Sequence, residues 1–315
     1  MRTYILRRLA LFPVTLLGVS ILSFALIRAL PADAATIRLG ASGSACEECI
    51  EVVKKELGLD KSKPEQYLLW LGNALRGDFG LSTATRREIT PELRDRFLTT
   101  LQLGLVTVFF TLAIGVPVGA LSAVRAHSAA DYTARFFSIL GLSVPSFWLG
   151  TLVIYLPAYW WGWTPVKQWR GFAEDPVAHI GLLILPALVL GIGASAYVAR
   201  IVRSSMLEAF YADYVRTARA KGLKERSVVW IHVFRNSVLT LMTVLGLQFG
   251  LILGGSIVIE QLFAIPGMGS MAAKAVADRD HQTIQAVTVR IAASFLTVTL
   301  IVDVLYAWAD PRLRA

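Results

Sequence analysis

The sequence predicts an all-α integral membrane protein with six transmembrane helices and a small helical subdomain outside the membrane between the first and second. Three observations carry this reading. Of 315 residues, 55% are hydrophobic and only 17% are charged, a balance that soluble domains rarely show. Six charge-poor runs, Leu9–Ile27, Leu101–Val124, Phe136–Trp163, Val177–Ala199, Ser237–Ile259 and Ile284–Ala307, are each long enough as helix to cross a hydrocarbon core of about 30 Å. Lys and Arg also fall unevenly between alternate loops.

The first run follows Arg2, Arg7 and Arg8 and could be taken for a cleavable signal. It is long for a signal's apolar region, and no small-x-small cleavage site follows "IRALPADA", so a retained helix is expected over 1–30. With the N-terminus in the cytoplasm, fifteen Lys and Arg face five acids on that side. The segment 31–100 on the other side nearly balances, with ten basic and eleven acidic residues. The net charge of +9 therefore reports topology, with both termini expected on the cytoplasmic side. No nucleic-acid-binding module is recognisable.

Segment 31–100 reads as helical. "CEECIEVVKKELGL" places Ile50, Val53 and Leu57 at helical spacing, and "PEQYLLWLGNALRGDFG" does the same with Tyr67, Leu71 and Leu75 before Gly77 and Gly80 break the pattern. Seventy residues form a marginal core alone, so this part is expected to lean on the membrane helices or a partner. Cys46 and Cys49, the only cysteines, offer too few ligands for structural zinc. They form either a local disulfide, favoured in an oxidising compartment, or two free thiols.

The spans of the core, 101–315, exclude several functions. Ion-coupled carriers need ionisable groups at membrane depth, and here only Arg290 lies well within a span, with Glu260 and Asp303 near helix ends. There is no HExxH, GxSxG or acid–His cluster for an enzyme, and no GxxxxGK[ST] for ATP. No catalytic residue, metal site or cofactor is expected in this chain. Gly246, Gly250 and Gly254 share one helix face, and Gly115 and Gly119 flank Pro117. Such rows allow close helix packing or a moving seam along a pathway.

The longest cytoplasmic loop contains "YVRTARAKGLKERSVVWIHVFRN", basic against the single acid Glu225. A helix is expected at about 211–225. Its positions 215, 218 and 222 form a ridge of Val215, Ala218 and Gly222, with Arg216, Arg219 and Lys221 pointing away and Gly222 ending the helix. Such a ridge suits docking into a groove on a cytosolic protein. The alternative is a basic helix on anionic headgroups, though membrane-binding faces favour Leu, Phe and Trp.

"RTARAKG", Arg216 to Gly222, resembles the cytoplasmic loop of ABC importer permeases of the di-/oligopeptide and nickel branch. "MRTYILRRLALFPVTLLGVSILSFALIRALPAD", "LGLSVPSFWLG", "GGSIVIEQLFAIPGMG" and "DVLYAWADPRLR" are similar to other signatures of that branch, in order over the whole chain. The sequence departs from the branch at Thr240, where Pro is common, at Thr299, where Asn is common, and at His281 and Gln282, which replace a common Tyr-Pro. The resemblance implies the type I ABC importer permease architecture. It implies that Arg216, Thr217, Ala218, Arg219, Ala220, Lys221 and Gly222 form the helix that couples to cytosolic ATPases. It further implies a second homologous permease subunit, a distinct chain forming a heterodimer or else a copy of this one, two ATPase subunits holding ATP and Mg²⁺, and an external substrate-binding protein, in a bacterial or archaeal cytoplasmic (inner) membrane. Peptides are the expected cargo. Nickel chelates, opines, glutathione and sugar-like solutes are alternatives, and an ATP-independent channel or scaffold is the alternative of a different class.

Arg290 allows two readings. Its side chain snorkels outward, or its guanidinium enters the pathway to meet an anionic group on the cargo or to pair with Glu260. Phe263, Pro266 and Gly267 lie in an outer turn that reaches the cavity mouth or serves as a connector.

Overall fold

A computed structural model describes residues 2–29, 60–166 and 168–309. Every named element among them is helical; the one β-bridge joins Leu81 to Glu88. In chain order the helices are α1 (Arg2–Ala29), α2 (Lys63–Leu75), α3 (Ile89–Val124), α4 (Ala129–Ser143), α5 (Ser146–Trp161), α6 (Pro176–Phe210), α7 (Asp213–Ala220), α8 (Arg235–Gly255), α9 (Ile257–Leu262), α10 (Met268–Ala277) and α11 (His281–Ala309). A short turn, Glu225–Ser227, and a π-helix, Val228–Phe234, lead into α8. Cys46, Cys49 and the first of the two helices expected in segment 31–100 lie outside the described residues.

Five helical stretches are long and apolar enough to span a membrane: α1, α3, α6, Glu225–Gly254 and α11. The third expected span is not one straight helix. α4 and α5 meet at 93° across Val144–Pro145, because a residue before proline is driven out of the helical region, and Val144 takes φ −85°, ψ 119°. Ser128 caps the start of α4 by accepting from Asp131 N–H, and left-handed Gly162 closes α5.

α3, at 36 residues, is about 54 Å long and α6 nearly matches it, so both project beyond a bilayer core. Their interface is close because a Cβ on Gly115 would stand 2.7 Å from the Ser195 carbonyl and one on Gly119 2.5 Å from that of Ala199. The α8 glycines do the same against α11, where Gly246 faces Val302 and Gly250 faces Phe295. Both rows thus serve helix packing. Arg8 and Asp303, 3.2 Å apart, pin α1 antiparallel to α11. We call the end that carries α7 the basic end and the opposite one the far end.

Candidate functional site

At the basic end, α7 starts two residues after α6 stops, and Gly222 (φ +77°) turns the chain back toward α8. Lys221 N–H donates to the Thr217 carbonyl at 3.1 Å and Gly222 N–H to that of Arg219 at 2.9 Å. Arg219 spans the turn with a two-pronged pair to Glu225 at 2.7 and 3.2 Å. The structure corrects the expectation that the Val215–Ala218 ridge faces a partner. Val215 is fully buried and Ala218 nearly so, among Met206, Ala209, Val228, Val229 and Val233 of the same chain. Apolar groups one turn apart leave water by the nearest apolar surface, and here α6 and the π-helix supply it. Exposed instead are Arg216, Thr217, Arg219, Ala220, Lys221, Gly222 and Leu223, flanked by Tyr211 and Tyr214.

Sequence reasoning missed two supports of this surface. The π-helix buries Val228, Val229 and Val233 while leaving Trp230 and Ile231 exposed. Nothing in its composition marks the wider register, which recurs at functional sites. Nearby, the buried Asp131 carboxylate takes four donors: Arg203 Nε at 2.7 Å and Nη2 at 2.9 Å, His127 N–H at 3.0 Å and Ser122 Oγ. That cluster ties α3, α4 and α6 together just before α7. A lone acid in a basic loop was its only sequence signal.

At the far end, Glu260 is fully buried. Its Oε1 accepts from Thr100 Oγ1 at 2.8 Å and Ser256 Oγ at 2.7 Å, and its Oε2 from Ser270 N–H at 2.9 Å. Thr100 in turn accepts from Met268 N–H at 2.8 Å. Gly267 lies against the carboxyl group so tightly that no Cβ fits there. Glu260, Phe263 and Gly267 are therefore interior and do not line a cavity as expected; Pro266 is half-buried. The reason is that a buried carboxylate must satisfy its lone pairs, and the turn folds round it to do so.

The expected Glu260–Arg290 pair is absent. Among the described residues Arg290 makes no ion pair, and its guanidinium lies 4.0 Å above the centre of the Phe97 ring, a cation–π stack. It sits nine residues into α11, about 14 Å along the axis.

A second buried acid, Asp280, binds the loop before α3 to the start of α11. It accepts from Thr83 N–H (3.1 Å), Thr83 Oγ1 (2.8 Å), Thr283 Oγ1 (2.7 Å), Thr283 N–H (3.2 Å) and Ser82 Oγ. Burial raises its carboxyl pKa, but these donors outweigh that and hold it below the ordinary value.

The comparisons agree with this geometry. Residues 115–315 match the family described as binding-protein-dependent transport system inner membrane component, and residues 1–104 match its N-terminal companion. The dipeptide transport system permease protein of Escherichia coli (strain K12) is 38% identical, covering 100% of this chain and 99% of that protein. The glutathione transport system permease protein of Escherichia coli O1:K1 / APEC is also 38% identical, with the same coverage. Among solved structures, the inward-facing MetNI methionine ABC transporter superposes with a TM-score of 0.56 at 19% identity, over 69% of this chain and 96% of that one. An amino acid ABC transporter gives 0.53 at 18% identity, over 71% and 95%. The far-end loop bound by Glu260, the inward-docked α7 and the multi-span helical core thus belong to a membrane permease of the binding-protein-dependent transport family.

Proposed function

We propose that this chain is one of two permease subunits of an ATP-driven importer of peptides. The partners are a second, homologous permease, two cytosolic ATPases that hold ATP and Mg²⁺, and an external substrate-binding protein. In this reading the basic end faces the cytoplasm and the chain itself performs no chemistry. The observation that supports the reading best is α7: one side is locked into the chain's own core and the other is free. A push on its exposed face reaches α6 directly and α8 through the π-helix, so ATPase closure rocks the bundle between two packings. The dipeptide permease at 38% identity over the full chain supports peptide cargo. Glutathione, itself a peptide, is the second reading, supported by a relative of equal identity.

The test is purification from the native membrane with its partners, reconstitution, and measurement of ATP-dependent uptake of a labelled dipeptide. Two Walker-motif ATPases in the complex and saturable uptake are expected. Purification of the chain alone, with ATP-independent flux, would favour a channel.

Within this reading, Arg290 is the proposed contact for the cargo's carboxylate. It is a cation at depth with no acid partner in the described chain, which a guanidinium rarely tolerates without a role. Arg290→Gln is expected to slow uptake of a free dipeptide about tenfold, equivalent to about 1.4 kcal/mol, and to leave a C-terminally amidated one nearly unchanged. Normal transport by folded Arg290→Gln would end this assignment.

A further inference from the structure

The segment between the first two spans is expected to lie wholly outside the membrane, yet α2 is tied to α1 well below its far end. Tyr67 Oη and Ser20 Oγ are 2.7 Å apart, and the Tyr67 ring packs edge-on against Phe24 at 5.4 Å. Ser20 lies within the apolar span Leu6–Ala29, nine residues before its end, so about 14 Å along the axis. The tyrosine side chain covers part of that drop, and the α2 backbone must cover the rest. This places α2 in the zone about 5–10 Å into the headgroup–acyl boundary that amphipathic surface helices occupy.

The composition of α2 fits the depth. "QYLLWLGNAL", Gln66 to Leu75, contains no charge, while Lys61, Lys63, Glu65 and Arg76 flank it, with Lys61 and Glu65 3.9 Å apart. Tyr67, Trp70 and Leu71 are half-buried on the side toward the protein. An adjoining strip, Leu68–Gly72–Leu75, led by the exposed Glu65, is open, with Leu68 64% and Leu75 80% exposed and Leu69 beside them. A strip of leucines this bare is costly in water. We propose that α2 is an interfacial membrane helix whose leucine strip is covered by lipid acyl chains of the far-end leaflet, with its flanking charged residues at the headgroups.

This rests on the permease reading only in requiring α1 to span, and the test separates the two. Single cysteines replace Leu68, Leu69 and Leu75 in the assembled transporter, with Cys46 and Cys49 changed to serine, in nanodiscs of phosphatidylethanolamine and phosphatidylglycerol. Each is spin-labelled and its collision rates with oxygen and with a water-soluble nickel chelate are compared. Leu22→Cys reports the span and Asp78→Cys the aqueous loop. Oxygen-dominated collisions at 68 and 75, close to those at 22, are expected. Nickel-dominated collisions at 68, 69 and 75, equal to those at 78 while 22 remains in lipid, would overturn the proposal. Protection from both agents would assign the strip to a protein partner and overturn it equally. Nickel access at 22 would instead contradict the spanning reading itself.

Discussion

The far-end turn and α7 at the basic end are held by different physics. At the far end, Glu260 and Asp280 are buried acids surrounded by Ser, Thr and backbone donors, neither in an ion pair among the described residues, and each fixes a loop to a helix start. At the basic end the short helix is held by apolar side chains, and its charged pair, Arg219–Glu225, lies at the exposed rim. Hydrogen bonds to a buried acid are directional and lock a single arrangement, whereas apolar contact is non-directional and tolerates a shift. The comparison teaches that the far-end turn is a fixed corner and that α7 is a docked but movable one.

Glu260→Ala would break the comparison most severely. It orphans two hydroxyl donors and one buried N–H, so a loss of about 3 kcal/mol or more is expected, read as lower thermal stability of the detergent-purified complex. Arg203→Ala should follow closely. Removing one partner of a buried ion pair typically costs about 3–5 kcal/mol, and the partial exposure of Arg203 moves the expectation to the lower bound. A shift much below that for Arg203→Ala, against a large one for Glu260→Ala, would sharpen the contrast between the ends.

Asp280 gives a pH test. Its pKa is depressed in the folded chain, so its contribution is complete above the ordinary carboxylate value near 3.9. It is lost as pH falls below that value through the folded pKa. Asp280→Asn should therefore destabilise at neutral pH, by about 1–3 kcal/mol, and flatten the part of the wild-type decline that occurs below about pH 4. Parallel pH profiles of mutant and wild type would remove Asp280 from the account. Val215→Ala should have the smallest effect, about 1.6 kcal/mol for two buried carbons on the methylene scale, because only part of one buried side chain is removed. Measured by denaturant titration, it should leave the far-end variants' shifts additive.

Much of this architecture is legible in the sequence. Charge-poor runs mark the spans because a bilayer demands about 20 apolar helical residues whatever they pack against. The break at Pro145 is legible too, in "SVPS", but hydropathy averaging hides it. The inward turn of α7 is not legible. Helical spacing says that Val215 and Ala218 share a face; which surface covers that face depends on α6 and the π-helix, placed by tertiary packing. Glu260 meets Thr100 and Asp280 meets Ser82 across 160 and 198 residues, separations to which no periodicity is sensitive. Arg290 stood out in the sequence because charge at depth is rare, but its stack on Phe97 follows from the α3–α11 crossing alone.

In the proposed importer, α7 meets the ATPase with the face opposite Val215 and Ala218. Cysteine cross-linking in the reconstituted complex tests it, with Cys46 and Cys49 replaced by serine. Thr217→Cys and Ala220→Cys are expected to form ATP-sensitive cross-links to cysteines introduced on the ATPase surface, and Ala218→Cys none. Efficient cross-linking from position 218, with 217 and 220 silent, would contradict the account and return the ridge to the outside.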